Sequence, residues 1–208
     1  MIQTGTILRG LRFIVIMAGI AILSLLYGCL TVESTRFSYN HETGEVVWIY
    51  HDIRSKNDPH GDSSPQKDWC ELKKMLTEPW EPDDPVVTSV KKEIYQDGEV
   101  LSGRLEALVN CPECFPSKVA VLKYLLKGES DYRCVSVRGD ILMLFPKERR
   151  ILATNGRLLE TETNWIILWE ADVTRFEFEI EEAESGQTSL LPYFLEDTPC
   201  PETEEDEP

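Results

Sequence analysis

Residues 174–181 read TRFEFEIE, with Phe176, Phe178 and Ile180 alternating with Glu177, Glu179 and Glu181. Successive side chains of an extended strand point to opposite faces, so this segment has one dry face and one solvated face. A helix cannot present that pattern to a core, so the chain must build a sheet with a buried side. The same period recurs in 101–109, where Leu101, Gly103, Leu105, Ala107 and Val109 alternate with Ser102, Arg104 and Glu106. Residues 86–95 and 100–109 flank Gln96-Asp97-Gly98-Glu99, whose Asp-Gly pair signals a hairpin, and 35–39 and 45–53 flank NHETG, with Gly44 available for positive φ. Further strands are expected at 133–137, 140–145 and 149–154, after which Asn155-Gly156 turns the chain into 157–161. Residues 164–169, NWIILW, are apolar on both faces and predict a central strand.

Two helices interrupt the strands. Ser63-Ser64-Pro65-Gln66 resembles a capping box, and Trp69, Leu72 and Leu76 then recur at helical spacing, with Lys73 and Lys74 suiting the C-terminal dipole. A second helix is expected after Ser117, with Val119, Leu122 and Leu126 on one face and Lys127-Gly128 as its end. The expected class is α+β: mainly an antiparallel β-sheet with about two helices packed on one side. Residues 29–195 suit a single domain. Residues 196–208 (EDTPCPETEEDEP) hold seven acids, three prolines and no base, and are expected to be a disordered acidic tail. Segments 54–66 and 77–85 read as polar or proline-rich loops.

Charge narrows function. Lys and Arg number 21 against 37 Asp and Glu, a net −16, so a phosphate backbone would be repelled and no nucleic acid is expected as a partner. A mean hydropathy of −0.25 excludes a multi-pass membrane protein. At the N-terminus, Arg9 and Arg12 precede an uncharged apolar stretch from Phe13 to Gly28, which describes an export signal. It ends in Leu26-Tyr27-Gly28-Cys29, which resembles the lipobox of bacterial lipoproteins. The resemblance covers about thirty residues. It implies that residues 1–28 are a signal peptide, that Cys29 is acylated, and that the body is anchored to the lipid bilayer of the bacterial cell envelope. With Leu30 rather than Asp after the cysteine, it further implies outer-membrane sorting, facing the periplasm. Tyr27 is bulkier than is usual two places before the cysteine, which leaves an uncleaved anchor as the competing outcome, with ordinary secretion as a third. Removing residues 1–28 takes away two arginines and no acid, leaving −18.

The cysteines carry the most chemistry. Cys111-Pro112-Glu113-Cys114 is a C-x-x-C between an expected strand and an expected helix. It reads first as a structural disulfide, which an exported location permits, and otherwise as a redox-active dithiol. A metal site is the remaining alternative, and would need Cys70 or Cys134 to complete it. Cys70 and Cys134 are the other disulfide candidates, and Cys200 is expected to be the leftover thiol. His51, Asp58, His60 and Asp62 could hold a divalent ion, although Asp, Pro and Gly also make ordinary turns. Two S-x-x-K matches, at Ser64 and Ser89, lack the K-T-G and S-D-N that accompany the penicillin-binding nucleophile, and Ser64 is better explained as a helix start. G-x-S-x-G, H-E-x-x-H and phosphate-cradling glycine loops do not occur. Trp48, Trp165 and Trp169 lie in apolar strands and are expected in the core, whereas Trp80 is the candidate for a partner contact.

The leading expectation is therefore a membrane-anchored envelope lipoprotein without enzymatic activity, which binds or assembles with an envelope protein partner and needs no cofactor. The alternatives are a thiol–disulfide oxidoreductase using Cys111 and Cys114, and a divalent-metal-binding module.

Overall fold

Alternation makes the strands, and the dry faces then have to find one another. The computed structural model describes residues 30–56, 64–77, 86–126, 132–182 and 188–201. In chain order the elements are β1 (Leu30–Thr31), β2 (Ser34–Asn40), β3 (Glu45–His51), β4 (Arg54–Ser55), α1 (Pro65–Thr77), β5 (Val87–Asp97) and β6 (Val100–Val109). A 3-10 turn (Pro112–Cys114) leads to α2 (Lys118–Leu125), β7 (Arg133–Val137), β8 (Asp140–Pro146), β9 (Arg150–Thr154), β10 (Arg157–Glu160) and β11 (Asn164–Trp169). The last are β12 (Arg175–Glu181), β13 (Thr188–Ser189) and α3 (Leu191–Leu195). The strands form three antiparallel sheets, ordered β5-β6-β3-β2-β12-β9, β10-β11-β8-β7 and β1-β4-β13.

This corrects the expected fold class: the chain is β-rich rather than α+β. The dry face of the six-stranded sheet is covered over much of its extent by a second sheet, not by a helical layer. Phe178 stands opposite Phe37, Phe37 opposite Trp48 and Trp48 opposite Leu105, giving a buried row across four strands. Onto it press Phe145, 5.4 Å from Phe178, and Trp169, 5.5 Å from Phe176, both from the four-stranded sheet. Each such side chain contributes roughly 1.5–3 kcal/mol through burial alone. The helices are too short to cover six strands: α2, capped by Ser117 Oγ accepting from the Ala120 N–H, adds Val119, Val121, Leu122 and Leu125 to the same core.

The chain crosses between the two large sheets at Asn155-Gly156. This pair is a corner and not the expected hairpin turn, since β9 pairs with β12 while β10 pairs with β11. A Cβ on Gly156 would lie 2.6 Å from Ile167 Cγ2 and 2.8 Å from Trp169 Nε1, so only glycine lets the backbone pass so close. Asn155 Oδ1 accepts from Trp169 Nε1 (2.7 Å) and from the Glu177 N–H (2.9 Å), and Asn155 Nδ2 donates to the Arg175 carbonyl (2.8 Å). One amide side chain thereby joins both sheets.

A second core lies at the other end of the same inner face, where Leu101 of β6 meets Ile53, Trp69, Leu72 and Leu190. Here α1 begins as its sequence predicts, with Ser64 Oγ accepting from the Lys67 N–H. Buried Asp68 accepts from Ser55 Oγ at 2.5 Å, tying α1 to β4. The segment from Glu196 to Pro201 is folded onto this module, in place of the expected unstructured tail. The Thr198 carbonyl accepts from Trp69 Nε1 (3.0 Å), and Asp197 pairs with Lys73 (3.0 Å). Residues 202–208 lie outside the described residues.

Gly44 closes the β2–β3 loop at φ +76°, where an added Cβ would stand 2.3 Å from the Val109 carbonyl oxygen. We expect Gly44→Ala to lose at least about 2 kcal/mol, combining left-handed strain with a backbone clash. Asn155→Ala, which leaves buried Trp169 Nε1 without its acceptor, should cost on the order of 1–3 kcal/mol. Urea unfolding checks both, and wild-type midpoints would refute the assignment.

Candidate functional site

Sulfur chemistry depends on which cysteines meet. Cys111 and Cys114 close a disulfide across the 3-10 turn, with Cα atoms 5.2 Å apart and the Cys114 N–H donating to the Cys111 carbonyl (3.0 Å). The turn is seated by Pro112, which is buried beneath Gly44. The redox reading drew on a helix N-terminus to stabilise a thiolate. However, α2 is capped at Ser117, three residues beyond Cys114, so both sulfurs lie outside its first turn, where the dipole acts.

The second disulfide joins Cys70 of α1 to Cys200, Cα atoms 5.4 Å apart and 130 residues apart in sequence. Closing so long a loop removes on the order of 4–5 kcal/mol of unfolded-state freedom in the chain-entropy model. This corrects the expectation that Cys200 is the leftover thiol. The free cysteine among the described residues is Cys134, 2% exposed on the inner face of β7, with its thiol pushed up to about 11 by burial against a smaller opposing pull from Lys123.

Beside the Cys111–Cys114 turn, the Tyr39 hydroxyl lies 2.9 Å from His41 Nδ1. Burial, reinforced by Glu113, raises the Tyr39 hydroxyl well above its ordinary value. Burial and then Lys118 hold His41 below its ordinary value, against the opposing Glu113 and Glu42. His41 is thereby kept neutral, with Nδ1 free to accept from Tyr39 in the Nε2–H tautomer.

Of the expected metal ligands, His51 ends β3, while Asp58, His60 and Asp62 lie outside the described residues, as do Trp80 and Cys29. Among the described residues no group of three or more His, Cys, Asp or Glu is placed to hold a metal ion. His51 does meet Ser102 (3.3 Å) and Asp97 (3.7 Å), a serine–histidine–aspartate grouping that sequence reasoning missed. Both contacts fall on Nδ1, whereas a catalytic triad needs the serine and the carboxylate on opposite ring nitrogens. Ser102 is also 0% exposed, so the grouping is a polar clasp between β3 and the β5–β6 hairpin.

The four-stranded sheet is apolar on both faces. Alternation sends Ile141, Met143, Phe145, Ile167 and Trp169 into the core and turns Leu142, Leu144, Ile166 and Leu168 outward. Register lines up Val135, Leu142 and Leu168 in one row and Leu144, Ile166 and Leu159 in the next. These outward residues are half-buried or exposed, Val135 at 41% and Val137 at 51%. Strand β11 is central in its ladder, as the sequence predicts, yet only one of its apolar faces is covered by the described residues. The outer face of the six-stranded sheet differs in kind: Glu177, Glu179, Arg36, Arg104 and Glu106 line it, with pairs such as Arg104–Glu106 (2.6 Å) and Arg175–Glu177 (2.7 Å). Trp48 and Trp169 are buried and Trp165 is half-buried, as expected of core residues.

Comparison with protein-family models, curated proteins and solved structures finds no match. The chemistry must therefore be read from this chain alone. An apolar cleft among Phe37, Trp48, Leu126, Tyr132 and Phe145 offers about 20 Å³, room for one water and no substrate. What remains is a surface: the uncovered apolar face of the four-stranded sheet.

Two measurements follow from these sites. Native protein should gain four protons on reduction of the two disulfides, and Cys134 should resist iodoacetamide until the fold is opened. Rapid native alkylation at Cys134 would contradict its burial. Because His41 binds its proton more weakly folded than unfolded, stability should fall as pH drops below about 6.5, where the unfolded imidazole protonates first. His41→Asn should remove that part of the pH dependence, and an unchanged profile would count against it.

Proposed function

We propose that this chain is a lipid-anchored module of the bacterial envelope that acts by binding or assembling with a partner protein rather than by catalysis. The lipobox-like Leu26-Tyr27-Gly28-Cys29 supports the anchor. The two disulfides support an oxidising compartment, since such bonds do not persist where thiols are kept reduced. Among the described residues no helix is long and apolar enough to cross a membrane, so on this reading acyl chains supply the attachment.

The observation that carries the binding half is the uncovered row of Val135, Leu142 and Leu168 beside Leu144, Ile166 and Leu159. Soluble proteins rarely leave so continuous an apolar surface bare, and such patches mark sites of association. Its edges carry Arg133 and Arg157, so a polar rim surrounds a dry centre.

The test has two parts. Intact mass of membrane-extracted protein should show loss of residues 1–28 plus a diacylglyceryl group and an N-acyl chain. Chemical cross-linking of envelopes should give a defined adduct that Leu168→Asp abolishes and Arg36→Asp, on the charged face, retains. Both variants should keep wild-type near-ultraviolet dichroism. A full-length unacylated mass, or an adduct indifferent to Leu168→Asp, would overturn the corresponding half.

A further inference from the structure

We infer that the end of the molecule built from β1, β4, β13 and α3 lies directly on the bilayer surface, with Leu195 and Pro192 resting among the lipid headgroups. The inference rests on the acylated Cys29 of the proposed function and adds to it an orientation and a contact.

The argument begins with covalent geometry. Consecutive Cα atoms are about 3.8 Å apart, and Leu30, the residue after Cys29, is already in the sheet, paired with Ser55. A flexible tether of n residues would let the body drift by roughly 5–6 Å × √n, but here n is zero. Acyl chains on Cys29 therefore hold the surface around Leu30 at the depth of the headgroups, whatever the rest of the body prefers.

That surface is composed as lipid contact requires. Ser55 pairs with Leu30 on one side and Thr188 on the other, so two strand spacings, about 10 Å, separate Leu30 from β13. Leu190 then leads into α3, whose five residues add about 7.5 Å. Leu191, Tyr193 and Phe194 pack half-buried against the second core together with Leu30 and Val32. Leu195, at 59%, is the most exposed large apolar side chain among the described residues, and Pro192 is exposed beside it. No other part of the chain brings exposed apolar groups so near the acylated position. Asp197, the acid nearest α3 with a defined partner, is paired with Lys73 at 3.0 Å, which lessens its repulsion from a headgroup layer.

The experiment uses the full mature chain extracted from membranes and reconstituted into phosphatidylcholine vesicles. Benzoylphenylalanine is placed at Leu195 in one preparation and at Val137 in another, both exposed positions where a new side chain leaves the core intact. After flotation and irradiation, peptide mass spectrometry should show phospholipid adducts at position 195, at least ten-fold above those at 137. Acylated protein that floats but reacts equally at the two positions, or only at 137, would overturn the orientation and leave the anchor standing. Protein without acyl mass that fails to float would overturn both.

Discussion

The two large sheets share one aromatic layer, and the Asn155-Gly156 corner lets a single chain contribute to both sides of it. Gly156 lets the backbone pass within contact of Ile167 and Trp169, and the Asn155 amide hydrogen-bonds to β11 and β12 at once. Without that crossing, β9 would have no route to its place beside β12, and β10 would not complete the ladder beside β11. The row Phe178–Phe37–Trp48–Leu105 would then lack the residues that cover it. Hydrophobic burial supplies most of the energy, but it is indifferent to topology. The directional bonds of one amide distinguish this arrangement from a simple hairpin.

Much of the local structure was legible in the residues. Period two placed β6 and β12, Asp97-Gly98 placed the β5–β6 hairpin, and Ser64 and Ser117 placed both longer helices at their starts. Whatever depended on distant partners was not legible. Asn-Gly favours a tight turn, and only the steric crowding from Ile167 and Trp169 shows it to be a corner. The partition of strands into three sheets, which makes the class β-rich, is likewise a property of tertiary pairing.

The candidate sites show the same limit. Cys70 and Cys200 lie 130 residues apart, and no local rule pairs them, so the tail cysteine looked solitary. Cys134 alternates inward on β7 and is thereby withdrawn from any partner. The continuous apolar run NWIILW was visible, but continuity was compatible with coverage on both faces. Only the sheet order reveals that the outward residues Ile166 and Leu168 face away from the core.

The position of Leu30 also sets how the molecule responds to mechanical load. A pull applied there first meets β1, which is held by two residue pairs to β4 and can peel away pair by pair. The force then enters β2, which is flanked by β3 on one side and β12 on the other, with thirteen residue pairs in register between them. Those ladders are loaded along the strand, in shear, and their bonds must yield together rather than in succession. The chain is thus attached by a weak fuse to its most firmly gripped strand, and drag on the body would open the small module before it disturbed the aromatic layer.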